Sequence, residues 1–569
     1  MKTIEKKKSI IIILLLINSI TQAQSWQWAK HIGGVSGYDF GGSTMFVDQN
    51  SNSYVCGSFQ LPCYFDTDTL YPGGYSDFYI AKYSSSGTEQ WVKRFGGNNS
   101  PSNSEGIGGM CYDAANNYFY VTGSFSPSAL FGSTLLSCPQ QGFFLAKFDL
   151  NGNCIWAKQD TSGGKSGGSG VTVDNSGNIY VCGQNTLSST FGSNSISAGG
   201  FIAKYDASGN CMWAKNEFRM ANPVWQGYSE VLSQGIRIFN SNIIVAGFSI
   251  NDTIIVDTIT AYNNPLQATV IASFNLNGDV QWLKLTGTSS TGSFIGSDFS
   301  MDNQGNSYLP GLFYDSAHFG NSTLIDPNGL GDGFIVKFDI NGNLKWVKQL
   351  NSSGDTIGHS GGWAMNISTN SDGYSYLSGY FSGTAHFGPY TVTSSTSASS
   401  VSSQDMFVAR YDSSGVCLGV KNFGRADATA VCSDGNSFWV TGAFSSNTVT
   451  IGSSTFTNYS NAGPNNDLYV AKCDAITKVE EKMLNTNNTL TIYANPNKGT
   501  CNITVPNDLL NEQNLVLNIY DANGKLIQQQ PVQVQQEKVK INIQEEATGI
   551  YNVTLGNKNK VYSGKIVFE

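Results

Sequence analysis

The chain has 569 residues, 32 Lys and Arg against 41 Asp and Glu, and a net charge of −9, with only 13% charged residues. A sparse, acidic charge pattern excludes the basic footprint of a nucleic-acid binder, and the length allows several domains. Abundant Gly, Ser, Asn and Thr point to an all-β, turn-rich extracellular protein.

Residues 1–23 read as a secretory signal peptide. Lys2, Lys6, Lys7 and Lys8 form the basic region, residues 10–17 the apolar core, and Thr21-Gln22-Ala23 the small-residue cleavage site before Gln24. The apolar run is far short of the ~20 residues that span a bilayer, and no other stretch qualifies as a transmembrane segment. No Cys lies near the cleavage point, which excludes a lipoprotein.

Residues 24–474 repeat one pattern. Its clearest hairpin runs from Phe201-Ile-Ala-Lys-Tyr205 through Asp206-Ala-Ser-Gly209 to Cys211-Met-Trp213-Ala-Lys215. Alternation gives two strands with distinct faces, and Asp with Gly supplies the turn. Equivalent return strands carry Trp91, Trp156, Trp282 and Trp346; a sixth copy has Gly419 in place of Trp. Upstream of each hairpin stands a Tyr-Val-x-Gly strand, as in Tyr54-Val-Cys-Gly57, Tyr180-Val-Cys-Gly183 and Trp439-Val-Thr-Gly442. One unit is therefore four strands, A to D, and seven such units predict a seven-bladed β-propeller. The seventh unit lacks a Trp strand after Leu468-Tyr-Val-Ala-Lys472, whereas Trp26-Gln-Trp28-Ala-Lys30 precedes the first full unit. The N-terminal strand is expected to close the ring, because an open blade exposes strand edges. Trp28 then occupies the slot of the other Trp residues, each expected to be buried and to cost ~3–5 kcal/mol on truncation. The A–B and C–D turns fall on one face. The D–A and B–C loops, on the other, carry the insertions 98–106, 216–228, 263–268 and 394–404, where binding usually resides.

No catalytic constellation stands out, no cofactor or metal is expected, and the absence of Cys-x-x-Cys argues against zinc. Eleven Cys is an odd number for an exported chain. Several recur at the same repeat position and would lie far apart in a ring, so they read as small buried hydrophobes. His318 and His386 share Ala-His-Phe-Gly in adjacent repeats and read as structural. Asp48, Asp113, Asp174 and Asp302 end the A strands; turn formation explains them more simply than calcium. Trp225, Tyr228 and Trp363 lie outside the repeated slots and are the ligand-binding candidates, since aromatic faces suit sugar rings.

Residues 475–488 form a polar linker, and 489–569 read as a small β-sandwich of short strands with Asn-Pro and Asn-Gly turns. Its motifs are Tyr493-Ala-Asn495-Pro496 with Gly499, Tyr520-Asp521-Ala-Asn-Gly524-Lys525, Gly549-Ile-Tyr551 and Lys565-Ile-Val567. This tail resembles the type A C-terminal sorting domain of the Bacteroidetes type IX secretion system, with Ala494 where that family usually has Pro. The resemblance implies Sec export, handling by the type IX machinery, removal of the tail, and a product released or attached to the surface. The repeats resemble the SBBP-type repeats of bacterial secreted proteins, a family with no fixed activity. The hairpin is also similar to the tryptophan-docking motif of quinoprotein propellers, with Asp-to-Trp spacing one residue short. We read that similarity as shared packing. Five triplets (Asp68-Thr-Leu, Asp252-Thr-Ile, Asp257-Thr-Ile, Asp315-Ser-Ala, Asp355-Thr-Ile) resemble an O-glycosylation sequon of this phylum.

The expected function is a non-enzymatic surface or secreted binding and adhesion protein, contacting glycan or a surface protein through the D–A/B–C face. The rival expectation is a polysaccharide hydrolase with carboxylates in the central channel. A third is a plain structural module of a surface layer.

Overall fold

The computed structural model describes residues 26–568 except 35–39, 98–103, 221–230, 250–252, 263–266, 290–292, 296–298, 328, 330, 353–362, 395–404, 425, 427–428, 445, 460–465, 477–489, 521–525, 534–535, 544–547 and 558–560. The expected signal peptide and most of the expected linker therefore lie outside the described residues. Among those described, the chain is all-β and built of small antiparallel sheets. It divides into two compact units, residues 1–477 and 478–569.

The first unit contains seven four-stranded meanders among the described residues. In the third, strands A to D are Ser166–Val173, Ile179–Asn185, Gly199–Tyr205 and Cys211–Asn216, paired in that order. The turns follow from the sequence. Asp206 accepts the backbone N–H groups of Ser208 and Asn210 at 2.9 Å and the Asn210 side chain at 2.8 Å. Gly209 then takes φ of +81°, a value that costs glycine no steric strain. Asp48, Asp174 and Asp302 make the same bonds after their A strands. In the fourth module Asn275 supplies the side-chain oxygen instead.

The seventh meander is completed from the other end of the chain. Strand Trp26–Gly34 pairs with Asp467–Asp474, register Trp28↔Lys472 to Ile32↔Leu468.

Each module also carries a short hairpin in its B–C connection, beyond the four strands expected from the sequence. Examples are Ser128–Phe131 with Thr134–Ser137 and Thr384–Phe387 with Tyr390–Thr393. Most close through a Gly at positive φ in the first loop position, such as Gly132 (+61°) and Gly388 (+60°), the requirement of a type II′ turn. In the fifth and sixth modules the hairpin pairs with the end of the preceding module's D strand, through Thr288↔His318 and Asn351↔His386. The first module's hairpin does the same to the seventh module's D strand, through Gly33↔Tyr64.

The core lies between modules, not within them. Seven clusters of buried side chains occur in this unit, each drawing on two consecutive modules. Phe78 of the first module stacks on Phe144 of the second, and Phe95 meets Phe148 edge to face. Ile32, Trp439 and Leu468 of the seventh pack with Met45, Val55 and Tyr79 of the first.

The second unit has a three-stranded sheet (Thr491–Tyr493, Thr500–Thr504, Lys538–Asn542) and a four-stranded sheet (Leu526–Val532, Leu515–Tyr520, Gly549–Gly556, Val561–Phe568). Alternate residues such as Leu515, Leu517 and Ile519 point into one shared core.

Candidate functional site

The repeated Lys and Trp face the next module's C–D turn. Lys147 and Trp156 Nε1 both donate to the carbonyl of Ala207, at 3.4 and 3.3 Å. Lys337 and Trp346 share Ser413 O, at 3.0 and 3.1 Å. Lys472 and Trp28, from opposite ends of the chain, share Ser85 O at 3.2 and 3.1 Å. The ring of each Trp lies over the turn glycine: a Cβ at Gly152 would meet Trp91 at 2.7 Å, and one at Gly209 would meet Trp156 at 3.0 Å. These Trp side chains are half-buried, not buried as the sequence implied, because the indole covers a turn at the rim. The missing sixth Trp also has a reason. The seventh module has no C–D turn of its own, so nothing stands there for a Trp to cover. Instead Ile476 packs over Gly419, and Arg410, at the Lys position, donates to Ile476 O at 2.7 Å. The repeated Lys…Trp pair is thus an inter-module clamp.

Buried carboxyl groups sit at the junctions. Asp77 accepts Arg94 Nη1 at 2.6 Å and the N–H groups of Gly73 and Gly97 at 2.7 Å. Glu105, 4% exposed, lies beside it: a Cβ at Gly96 would be 2.7 Å from Glu105 Oε2 and 3.1 Å from Asp77 Oδ1. Neither Glu105 oxygen has a well-formed hydrogen bond. Burial, and then the Asp77 charge, push its carboxyl up to about 9, so it is neutral at pH 7. Glu217 is likewise raised by burial, with one hydrogen bond from Ser233 at 2.7 Å. Among the described residues of the seven A strands, the carboxylates are Glu105 and Asp113, at opposite ends of one strand. Asp113 is engaged by Asn116. The described A strands thus hold no facing pair for acid–base work of the hydrolase kind.

Trp225 and Tyr228 lie outside the described residues. Trp363 opens an A strand and pairs with Tyr380, but its side chain is outside the description. Conspicuous aromatic exposure is found elsewhere. Tyr71, Tyr75, Tyr262 and Tyr459 are all well exposed, and all four belong to B–C connections. Sequence reasoning did not single them out. His318 and His386 each hold a hairpin Thr at 3.0 Å through Nδ1. No disulfide joins any of the eleven cysteines, and burial raises Cys111 and Cys417 to about 12. No group of three or more metal-binding side chains occurs among the described residues.

In the second unit the opening and closing motifs meet. Asn495 Oδ1 accepts Val567 N–H at 2.7 Å, and its Nδ2 donates to Lys565 O at 2.6 Å. Asn497 N–H donates to Val567 O at 2.9 Å, and Asn497 Oδ1 accepts Gly499 N–H at 2.8 Å. Pro496 is exposed between these asparagines, and Gly499 has φ of +87°. Tyr551 is buried opposite Ile566; Gly549 and Lys565 are exposed. Asp521, Gly524 and Lys525 lie outside the described residues.

Residues 491–569 match the family model described as the secretion system C-terminal sorting domain. The protein is therefore a type IX secretion substrate, secreted or attached to the cell surface. Among the described residues no helix is long and apolar enough to cross a membrane. No curated protein matches the chain. Solved structures similar to it include a member of the duf4221 family from Bacteroides vulgatus, with 11% identity over 62% of this chain and 92% of that one and a TM-score of 0.27. A second is the extracellular domain of a putative one-component system from B. thetaiotaomicron, with 10% identity over 93% and 80% and a TM-score of 0.20. A third is a quinonprotein alcohol dehydrogenase-like protein from B. thetaiotaomicron, with 11% identity over 70% and 97% and a TM-score of 0.22. At such scores none of them bears on function.

Proposed function

We propose that this exported protein is a closed seven-bladed β-propeller, residues 24–474, that binds a glycan or a surface protein through its D–A/B–C face. A linker, 475–488, joins it to the sorting sandwich, 489–569. Three links support the ring. Hairpin pairing, the Lys…Trp clamp and a buried cluster each join the seventh module to the first as they join consecutive modules elsewhere. The observation that carries the binding reading is the distribution of exposed tyrosines. Tyr71, Tyr75, Tyr262 and Tyr459 all fall in B–C connections, while the repeated polar residues are consumed by turns and clamps. Rigid aromatic side chains with a polar edge provide contact area at low entropic cost.

The test uses the secreted chain on a glycan array and in pull-downs from the producing cell's surface, with the same sugars assayed for released product. Saturable binding without turnover supports the reading. Turnover moves the case to a hydrolase, and silence in both arms leaves a structural module.

A further inference from the structure

Four modules begin strand C with a buried aspartate: Asp77, Asp332, Asp405 and Asp467, each at most 1% exposed. In two of them the carboxylate ties the B–C connection to strand D. Asp77 joins Gly73 N–H to Arg94. Asp467 joins Tyr459 N–H, at 2.8 Å, to His31 Nε2, at 2.7 Å. These two are the first and seventh modules, which share a junction. Both anchored connections display tyrosines: Tyr71 (67% exposed) and Tyr75 (60%) flank Pro72-Gly73-Gly74, and Tyr459 is 45% exposed.

The rings meet across the junction. Tyr459 stacks on His31 with centroids 4.7 Å apart and planes at 10°. It contacts Tyr64 of the first module at 5.5 Å and 43°. Thr69 pairs with Tyr64 and Leu70 with Cys63, and Tyr71 follows directly on this strand, one residue beyond its end. Beside the rings Lys30 pairs with Asp66 at 2.5 Å, and Glu89 accepts from Thr67 N–H and Oγ1 at 3.1 and 2.6 Å. Glu89 and the exposed Asp68 have no cation paired with them among the described ion pairs. Stretch 69–76 contains no charged residue.

We propose that Tyr64, Tyr71, Tyr75 and Tyr459 form one binding surface for a neutral glycan at the junction of the first and seventh modules. This rests on the binding-protein reading and names its ligand class. Exposed aromatic faces take the apolar C–H faces of a sugar. The surrounding carboxylates and hydroxyls exchange hydrogen bonds with its hydroxyls, and the acidic surplus of Asp68 and Glu89 disfavours an acidic ligand. Because two buried aspartates fix the connections beforehand, little ordering entropy is lost on binding.

The experiment is affinity electrophoresis of the full secreted chain in gels containing mannan, xylan or a β-1,3-glucan, with polygalacturonate and alginate as acidic counterparts. Tyr71→Ala, Tyr459→Ala and Met212→Ala, the last on a D strand away from the B–C connections, are compared with the parent. These side chains are exposed, so melting curves are expected to coincide and report any folding defect. Retardation by a neutral gel, weakened about tenfold by Tyr71→Ala or Tyr459→Ala but not by Met212→Ala, is the expected result. Retardation untouched by Tyr71→Ala and Tyr459→Ala overturns the surface and leaves the binding reading intact. Retardation by the acidic gels alone overturns the ligand class. No retardation in any gel overturns the glycan surface, and the binding reading falls with it only if surface pull-downs are also empty.

Discussion

Replacing Glu105 by Gln should stabilise the protein at neutral pH. Its carboxyl is raised from 4.5 to about 9 by burial and by Asp77. Between those values the folded protein holds a proton that the unfolded chain has lost, so stability falls as pH rises from about 4.5 to 9 and levels off above. At pH 7 the cost is that of protonating an ordinary glutamate, about 2.5 pH units at ~1.4 kcal/mol each, or roughly 3.5 kcal/mol. That figure does not depend on the folded value so long as it stays well above 7. Gln keeps the shape and offers an N–H donor toward Asp77, so the penalty disappears while packing is retained.

The assay is urea unfolding of parent and Glu105→Gln at pH 5, 6, 7 and 8. The variant should match the parent near pH 5 and gain roughly 1.4 kcal/mol per unit above it. A pH-independent difference, or a variant less stable at pH 8, would refute the neutral buried carboxyl. Asp77→Asn serves as the opposite control, because it strips Arg94 of its 2.6 Å partner and should destabilise at every pH where Asp77 is charged.

Trp156→Ala removes a half-buried indole and its bond to Ala207 O, so chemical denaturation should register about 2–3 kcal/mol, at or below the lower end for a fully buried Trp. Trp28→Ala should cost a similar amount if the closing strand bears the same load; a loss below ~0.5 kcal/mol would argue against closure. Asp206→Ala should lose ~1 kcal/mol with its turn bonds, whereas Asp206→Asn should be nearly neutral, as Asn275 already fills that position in the fourth module. Backbone and side-chain N–H groups of Asn210 hold Asp206 below the usual carboxylate range, so its contribution is present above about pH 4 and lost as pH falls below. Asn495→Ala should cut two bonds to the last strand, about 1–3 kcal/mol. Cell fractionation should then find the precursor retained inside; normal export with a normally folded tail would sink that expectation.

The four-stranded unit was legible because period-two alternation and the Asp-x-x-Gly turn are local signals, repeated often enough to average out exceptions. The pairing of the N-terminal strand with the seventh unit was legible for the same reason: one unit lacked its Trp strand and Trp26–Lys30 had no unit. The B–C hairpin was not. Its strands are two to four residues long, and several are held by the preceding module's D strand, a contact remote in sequence. The Phe-Gly dipeptides at 131, 191, 319 and 387 carried the signal, yet only the two Ala-His-Phe-Gly copies drew notice. Trp burial was overestimated because sequence gives residue type, not which side of an indole is covered. The same limit hid the exposed tyrosines: Tyr71 and Tyr459 stand outside the repeated strand motifs that hold the fully buried Tyr54 and Tyr469, but nothing in the sequence says whether a tyrosine in a connection is covered.

The placement of the core explains why the closing strand matters more than its length suggests. The buried clusters lie between modules, so a module's cohesion comes from both neighbours. Residues of Trp26–Gly34 take part in three such links at once. They supply strand D to the seventh module, seat the first module's hairpin through Gly33, and cover the Gly87 turn with Trp28. The first of these links joins opposite ends of a segment of about 450 residues and cannot form until the last module has been made, whereas the other two lie within the first 90 residues. His31, on this strand, also holds Asp467 and stacks on Tyr459. The strand that completes the seventh module therefore also positions an exposed aromatic side chain at that junction. A sequence that spends its repeated polar residues on turns and clamps leaves recognition to the few positions where modules differ. The junction of first and last modules, assembled from both chain ends, is where those differences are most concentrated among the described residues.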